Sequence, residues 1–145
     1  MNLFFDTSVL VAASSASHIH HPQAFAALSL IQAGGNQGWM SQHSVAEVYA
    51  TLTSAPLTPR IHPSEALRII EDNLLPHLRI VALKPADYRE VIREVAAAGW
   101  RSGKVYDPLH IRCALKQPID RLYTFNVKDF RALAPKELVD RIAAP

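Results

Sequence analysis

Short apolar runs of strand length alternate along this chain with longer segments of helical periodicity, and that alternation restricts the fold more than any other feature. The strand-like runs are "NLFF" at 2–5, "GWMSQ" at 38–42, "LRIVAL" at 78–83 and "RLYTF" at 121–125. Helical stretches lie between and around them at 7–16, 21–34, 44–54, 62–76, 85–99, 107–117 and 127–133. In the second, Phe25, Leu28 and Ile31 recur at helical spacing and Gly34-Gly35 closes the run. Ser44 is the expected N-cap of the third, and Pro56 lies beyond its end. Pro63 falls in the first turn of the fourth, and Gly99 ends the fifth. The closing "PKELVDRIAAP" at 135–145 reads as either a last strand or a helix. Strands this short, separated by helices, imply parallel crossovers. The expected architecture is therefore α/β, a three-layer α/β/α sandwich with a central parallel sheet. With 145 residues, no internal repeat and no low-complexity linker, residues 1–145 are expected to form a single domain.

Composition narrows the class. Hydrophobic residues make up 49% and charged residues 19%, which excludes a disordered chain. A net charge of +2 argues only weakly for a polyanionic partner. The single cysteine, Cys113, excludes an intrachain disulfide framework and is expected as a small core hydrophobe on a helix. No apolar run approaches the roughly 18 residues of a membrane helix. Residues 3–13 imitate the core of a signal peptide, but no basic residue precedes them and Asp6 interrupts them. A cytoplasmic protein is the expectation.

In a parallel sheet of this kind, ligands bind in the crevice beyond the carboxyl ends of the strands. Asp6 stands directly after the first strand, where it also suits the N-cap of the helix that follows. Asp107-Pro108 invites the same capping reading. In "SVAEVYATL", Val45, Val48, Tyr49 and Leu52 share one helical arc, and Glu47 points away from it among Ala46, Ala50 and Thr51. "YTFNVKDF" at 123–130 gathers Thr124, Asn126 and Asp129 at another strand-to-helix junction, where turn chemistry accounts for each one singly. Their shared location is the informative feature. Carboxylates that meet in one crevice repel unless protonated or neutralised by a cation. Hard oxygen ligands without a cysteine or histidine cluster select Mg²⁺ or Mn²⁺ over zinc. That is the equipment of phosphodiester hydrolysis.

"FFDTSVLVAA", "SVAEVYATL", "VYDPLHIRCAL" and "LYTFNVKDF" together resemble, in order, the four motifs of PIN-domain ribonucleases, and most of all the VapC-type toxins of toxin–antitoxin pairs. The resemblance spans residues 2–130. It implies a PIN-like fold and a metal-dependent endoribonuclease acting as a toxin. Asp6, Glu47 and Asp107 carry over as catalytic acids and as ligands of Mg²⁺ or Mn²⁺. Asn126 stands where the family often has an acid, so either its carbonyl or Asp129 completes the metal set. Ser8 and Thr124 carry over as hydroxyls supporting Asp6 and contacting substrate. Attack by metal-activated water implies products with 5′-phosphate and 3′-hydroxyl ends. The partners implied are an RNA substrate, a cognate antitoxin, a second copy of the chain in a homodimer, and a toxin–antitoxin hetero-oligomer. The apolar stretches at 24–31 and 67–78 are either the dimer surface or core.

Substrate grip points to "GWRSGKVYD" at 99–107, where Arg101 and Lys104 precede the third acid and the two glycines suggest a mobile segment. Trp100 or Tyr106 there either stacks a base or, for Trp100, joins the core. Arg112, Lys116, Arg121 and Lys128 are candidates for a basic rim. "HIHH" at 18–21 lacks partner ligands at zinc spacing and is expected as a surface loop. His43 and His110 stay outside the expected catalytic set. Two other classes compete with the ribonuclease. One is a non-catalytic PIN-like module that binds RNA or protein, favoured by Asn126. The other is a related metal-dependent DNA nuclease or phosphatase.

Overall fold

A computed structural model describes residues 1–145. Five parallel strands, β1 (Asn2–Phe5), β2 (Gln37–Ser41), β3 (Leu78–Val81), β4 (Arg121–Tyr123) and β5 (Ile142–Ala143), form one sheet in the order β3-β2-β1-β4-β5. Eight α-helices surround it: α1 (Thr7–Ser14), α2 (His21–Ser29), α3 (Gln42–Ser54), α4 (Pro63–Arg68), α5 (Pro85–Ala97), α6 (Tyr106–Leu115), α7 (Val127–Leu133) and α8 (Lys136–Val139). Burial alternates across β1. Leu3 and Phe5 enter a core with α1, α2, α3 and α4, whereas Phe4 enters a separate core with α6, α7 and α8. Period-two side chains buried on both faces are what a sheet covered by helices on each side requires. The expected α/β/α sandwich is therefore the architecture observed.

Several boundaries differ from the sequence reading. Ser41, the last residue of β2, caps α3 by accepting from Ser44 N at 3.0 Å, so Ser44 lies inside the helix rather than at its cap. The strand runs straight into the helix because one serine serves both. Val48 and Leu52 are fully buried, but Tyr49 is exposed, so the apolar arc of α3 is narrower than its sequence suggests. Asp107 does not cap α6, which already begins at Tyr106. The stretch 62–76 splits into α4 and a π-helical segment, Ile69–Leu74, which nothing in the sequence signals. The ambiguous tail supplies both alternatives, the short helix α8 and the edge strand β5. Gly38 in β2 leaves space that the Ile31 and Leu78 side chains fill, and a Cβ there would overlap both.

Cys113 is 3% exposed on α6, and its Sγ donates to Val81 O at 3.5 Å. Burial pushes the thiol up to about 12. The native chain is therefore expected to leave a chromogenic disulfide reagent unreacted at pH 8, and to react one-to-one once unfolded. Reaction in native buffer would contradict this packing of α6.

Candidate active site

The strand order reverses at the centre of the sheet. From β1 the chain moves outward through β2 to β3, then returns to place β4 on the other side of β1. Connections leaving β1 and β4 thus diverge, and the crevice between their carboxyl ends is where such a sheet accommodates a ligand. Asp6 follows β1 there, and Thr124 and Asn126 follow β4.

Asp6 is 5% exposed and held by one of its two oxygens. Its Oδ2 accepts from Ser8 Oγ at 2.7 Å, Thr124 Oγ1 at 3.0 Å and Ser8 N at 3.4 Å. The last of these is the helix cap, so capping and orientation use the same atom. Ser8 Oγ also accepts from Phe125 N at 3.2 Å, tying α1 to the loop after β4. Ser8 and Thr124 therefore give their hydroxyl protons to Asp6. Asn126 N donates to Thr124 Oγ1 at 3.0 Å, and Asn126 Nδ2 donates to Asp107 Oδ2 at 2.9 Å. Asn126 braces Asp107 through its amide nitrogen.

Glu47 reaches the crevice from α3 and has partners that the sequence did not indicate. Its Oε2 accepts from Thr7 Oγ1 at 2.7 Å and lies 2.7 Å from His110 Nε2. The His110 ring is 1% exposed, and its Nδ1 lies 2.7 Å from Ser41 Oγ. Burial opposes charge on His110, but the hydrogen bond to Glu47 and the carboxylates of Asp6, Glu47 and Asp107 outweigh it and raise its pKa. Burial likewise opposes charge on Glu47, and the His110 contact overcomes it, holding the carboxyl below its usual range. The signal was present in "DPLH": residues three apart on a helix share a face, so Asp107 and His110 look the same way. His43 lies 3.8 Å from Glu47 Oε1 and stacks on Tyr106 with ring centroids 4.7 Å apart.

Asp107 behaves oppositely to Glu47. Burial first, and the charges of Asp6 and Asp129 with it, push its carboxyl above the usual range despite His110 and Asn126. A half-buried carboxyl beside two other acids resists ionisation in this way. Asp129 sits apart from the crevice wall. It is exposed on α7 and lines an adjoining pocket with Trp100, Lys104 and Asp107. No three or more histidine, cysteine, aspartate or glutamate side chains converge to hold a metal ion. Two carboxylates that repel one another nevertheless fit Mg²⁺ or Mn²⁺, which take one or two carboxylates and keep several waters. They do not fit a four-ligand zinc site.

Other expected residues scatter. Gly99, with φ of 72°, turns the chain out of α5, and Ser102–Val105 forms a 3₁₀ turn where the glycines suggested a mobile segment. That turn brings Lys104 beside Asp107 but leaves Arg101 exposed without an ion pair. Trp100 is 38% exposed, outside the core. Arg112 is committed to Glu90 and Glu94 at 2.8 and 2.7 Å, and Lys116 to Asp87 at 3.0 Å. Arg121 begins β4, at the end of the sheet away from the crevice. Lys128 is exposed on α7, next to Asp129 in the chain, and lines neither the crevice nor the adjoining pocket. His18 and His20 do more than form a surface loop: both line the crevice, and His20 stacks on Phe125 at 4.7 Å.

A switch-point crevice lined by Asp6, Glu47 and Asp107 on an all-parallel sheet defines the class of acidic-site α/β proteins. Within that class the family is established: the PIN domain model matches residues 3–135, and the chain belongs to the PIN domain family. Among solved structures, the chain is similar to VapC20 of Mycobacterium tuberculosis, described as a sarcin-ricin loop cleaving toxin. The TM-score is 0.68 at 17% identity, over 92% of this chain and 97% of that one. It is also similar to VapBC2 of Rickettsia felis, bound to a promoter DNA fragment. There the TM-score is 0.59 at 22% identity, over 88% and 90% of the two chains. No curated protein matches the sequence. No helix is long and apolar enough to cross a membrane.

Proposed function

We propose that this chain is a metal-dependent endoribonuclease acting as the toxin of a toxin–antitoxin pair. The carrying observation is the pair Asp6 and Asp107 at the switch point, each fixed through one oxygen by the β4–α7 loop. Those two carboxylates hold the ion, with Glu47 beside them. Mg²⁺ or Mn²⁺ bound there supplies a Lewis acid for phosphodiester hydrolysis. Ser8 and Thr124 keep Asp6 in one rotamer, and Asn126 does the same for Asp107. Preorganisation of this kind removes reorganisation from the reacting state. Glu47, kept ionised by His110, stands beside Asp6 and Asp107 as the third acid of the wall. An antitoxin segment bearing a cation fits the same acidic crevice. Phe25, Leu30 and Leu67, exposed on the apolar stretches, provide a surface for a second copy.

The test is cleavage of defined RNAs by the antitoxin-free chain, with Mg²⁺, with Mn²⁺ and with chelator. Cutting is expected only with metal, leaving 5′-phosphate and 3′-hydroxyl ends. Products ending in 2′,3′-cyclic phosphate would overturn attack by water. Equal cleavage of single-stranded DNA or of a small phosphate ester would favour the related DNA nuclease or phosphatase.

A further inference from the structure

Beside the acidic crevice lies a second cavity, of about 170 Å³, that shares only Asp107 with it. Six residues line it: Trp100, Lys104 and Asp107 from one side, and Asp129, Ala132 and Leu133 from α7. The three from α7 are spaced i, i+3 and i+4, so they present one face of that helix. Asp107 belongs to both cavities, so an occupant of the second lies next to the group acted on in the first. Trp100 and Leu133 make its walls apolar. Its polar groups are the carboxylates of Asp107, which Asn126 already braces, and of Asp129, and the ammonium of Lys104; Asp129 and Lys104 stand in no ion pair. The Trp100 indole N–H has no protein partner either, whereas that of Trp39 donates to Asn2 Oδ1.

We propose that this cavity is a subsite for a single guanine base of the RNA, next to the phosphate that is cut. This rests on the nuclease reading for its purpose. A flat apolar wall with an aromatic face takes a nucleobase by stacking, whatever its sequence. The polar pair makes the choice. Guanine alone among the four bases carries two adjacent N–H donors, at N1 and N2, which a carboxylate accepts together, with O6 beside them to accept from an ammonium. Adenine and cytosine offer an amino donor next to a ring lone pair, which faces the Asp129 carboxylate unfavourably. Uracil offers one ring N–H, so it forms one hydrogen bond fewer. The expected order is guanine first, uracil second, adenine and cytosine last.

Mononucleotide binding tests this without cleavage. The two tryptophans give two indole N–H signals in a proton–nitrogen spectrum, and Trp100→Phe identifies the one from Trp100. With chelator present, GMP is titrated into the full chain, beside AMP and IMP, which lacks the 2-amino group. The Trp100 signal is expected to move with GMP at a Kd at least about tenfold below that of AMP, with IMP between them. Asp129→Asn is expected to shrink the GMP-to-AMP ratio to less than about threefold. Equal Kd values for GMP and AMP, or a Trp100 signal unmoved at about 20 mM GMP, would overturn the proposal. A chain that binds GMP selectively yet cuts no RNA supports the subsite and removes the nuclease. A chain that cuts RNA yet binds GMP and AMP alike does the reverse.

Discussion

Asp6→Asn is expected to lower RNA cleavage by a factor of at least about 10³ at saturating Mg²⁺, since loss of a metal-holding charge removes several kcal/mol of transition-state stabilisation. The chain should remain folded. Only Oδ2 of Asp6 takes hydrogen bonds, from Ser8 and Thr124, and an asparagine carbonyl oxygen accepts them in the same place. The new amide nitrogen then takes the position of Oδ1. The expected change in unfolding free energy is within about 1 kcal/mol. Asp6→Ala is a worse probe, because it strands two hydroxyls and one amide and costs about 1–3 kcal/mol for each polar group left unsatisfied. Asp6→Asn also has a second readout. Burial, the larger cause of the raised Asp107 pKa, stays, but the neighbouring negative charge goes. The Asp107 carboxyl, followed by carbon NMR, should therefore titrate lower in the variant than in the wild type. Cleavage persisting in Asp6→Asn, with an unmoved Asp107, would return Asp6 to a helix cap and take its carboxylate out of the chemistry, whereas no cutting of any RNA by the wild type would favour a binding module.

How much of this was legible follows from which interactions are local. β1, β2, β3 and β4 announce themselves because each is a short apolar run bounded by helix signals. Asp6, Glu47 and Asp107 are visible because acids at strand-to-helix junctions are individually ordinary and collectively not. What the sequence hid is pairing across distance. The contact of His110 with Glu47 joins residues 63 apart, and that of Thr124 with Asp6 joins residues 118 apart. No spacing rule reports such contacts. Arg112 and Lys116 failed as a basic rim for the same reason, since their acids lie on α5, a separate helix. Helix starts slipped where one side chain serves two elements. Ser41 ends β2 and caps α3, so a cap search that begins after the strand finds Ser44 instead. The histidine loop carries no zinc spacing to mark it in the sequence, and only the turn of the chain after α1 brings His18 and His20 to the crevice.

His110→Ala is expected to destabilise the fold by about 3 kcal/mol, because it leaves Glu47 without its partner and removes a buried ring. For a chain of this length that is a fall of roughly 10 °C in Tm. Glu47→Gln is gentler and more informative, since its amide oxygen keeps the contacts with Thr7 and His110 and loses only charge. The pH dependence of that loss has a definite sign. The folded pKa of His110 lies above its ordinary 6.5, so its share of the stabilisation is complete below 6.5 and fades as pH rises through the folded value. The folded pKa of Glu47 lies below its ordinary 4.5, so its share is complete above 4.5 and fades as pH falls through the folded value. Both conditions hold together only between 4.5 and 6.5. Urea unfolding of wild type and Glu47→Gln should therefore differ most near about pH 5.5 and differ less at a pH above the folded value of His110. A gap of the same size at both pH values would mean that His110 meets Glu47 as a neutral ring, and that Thr7 rather than a charged histidine keeps the glutamate ionised.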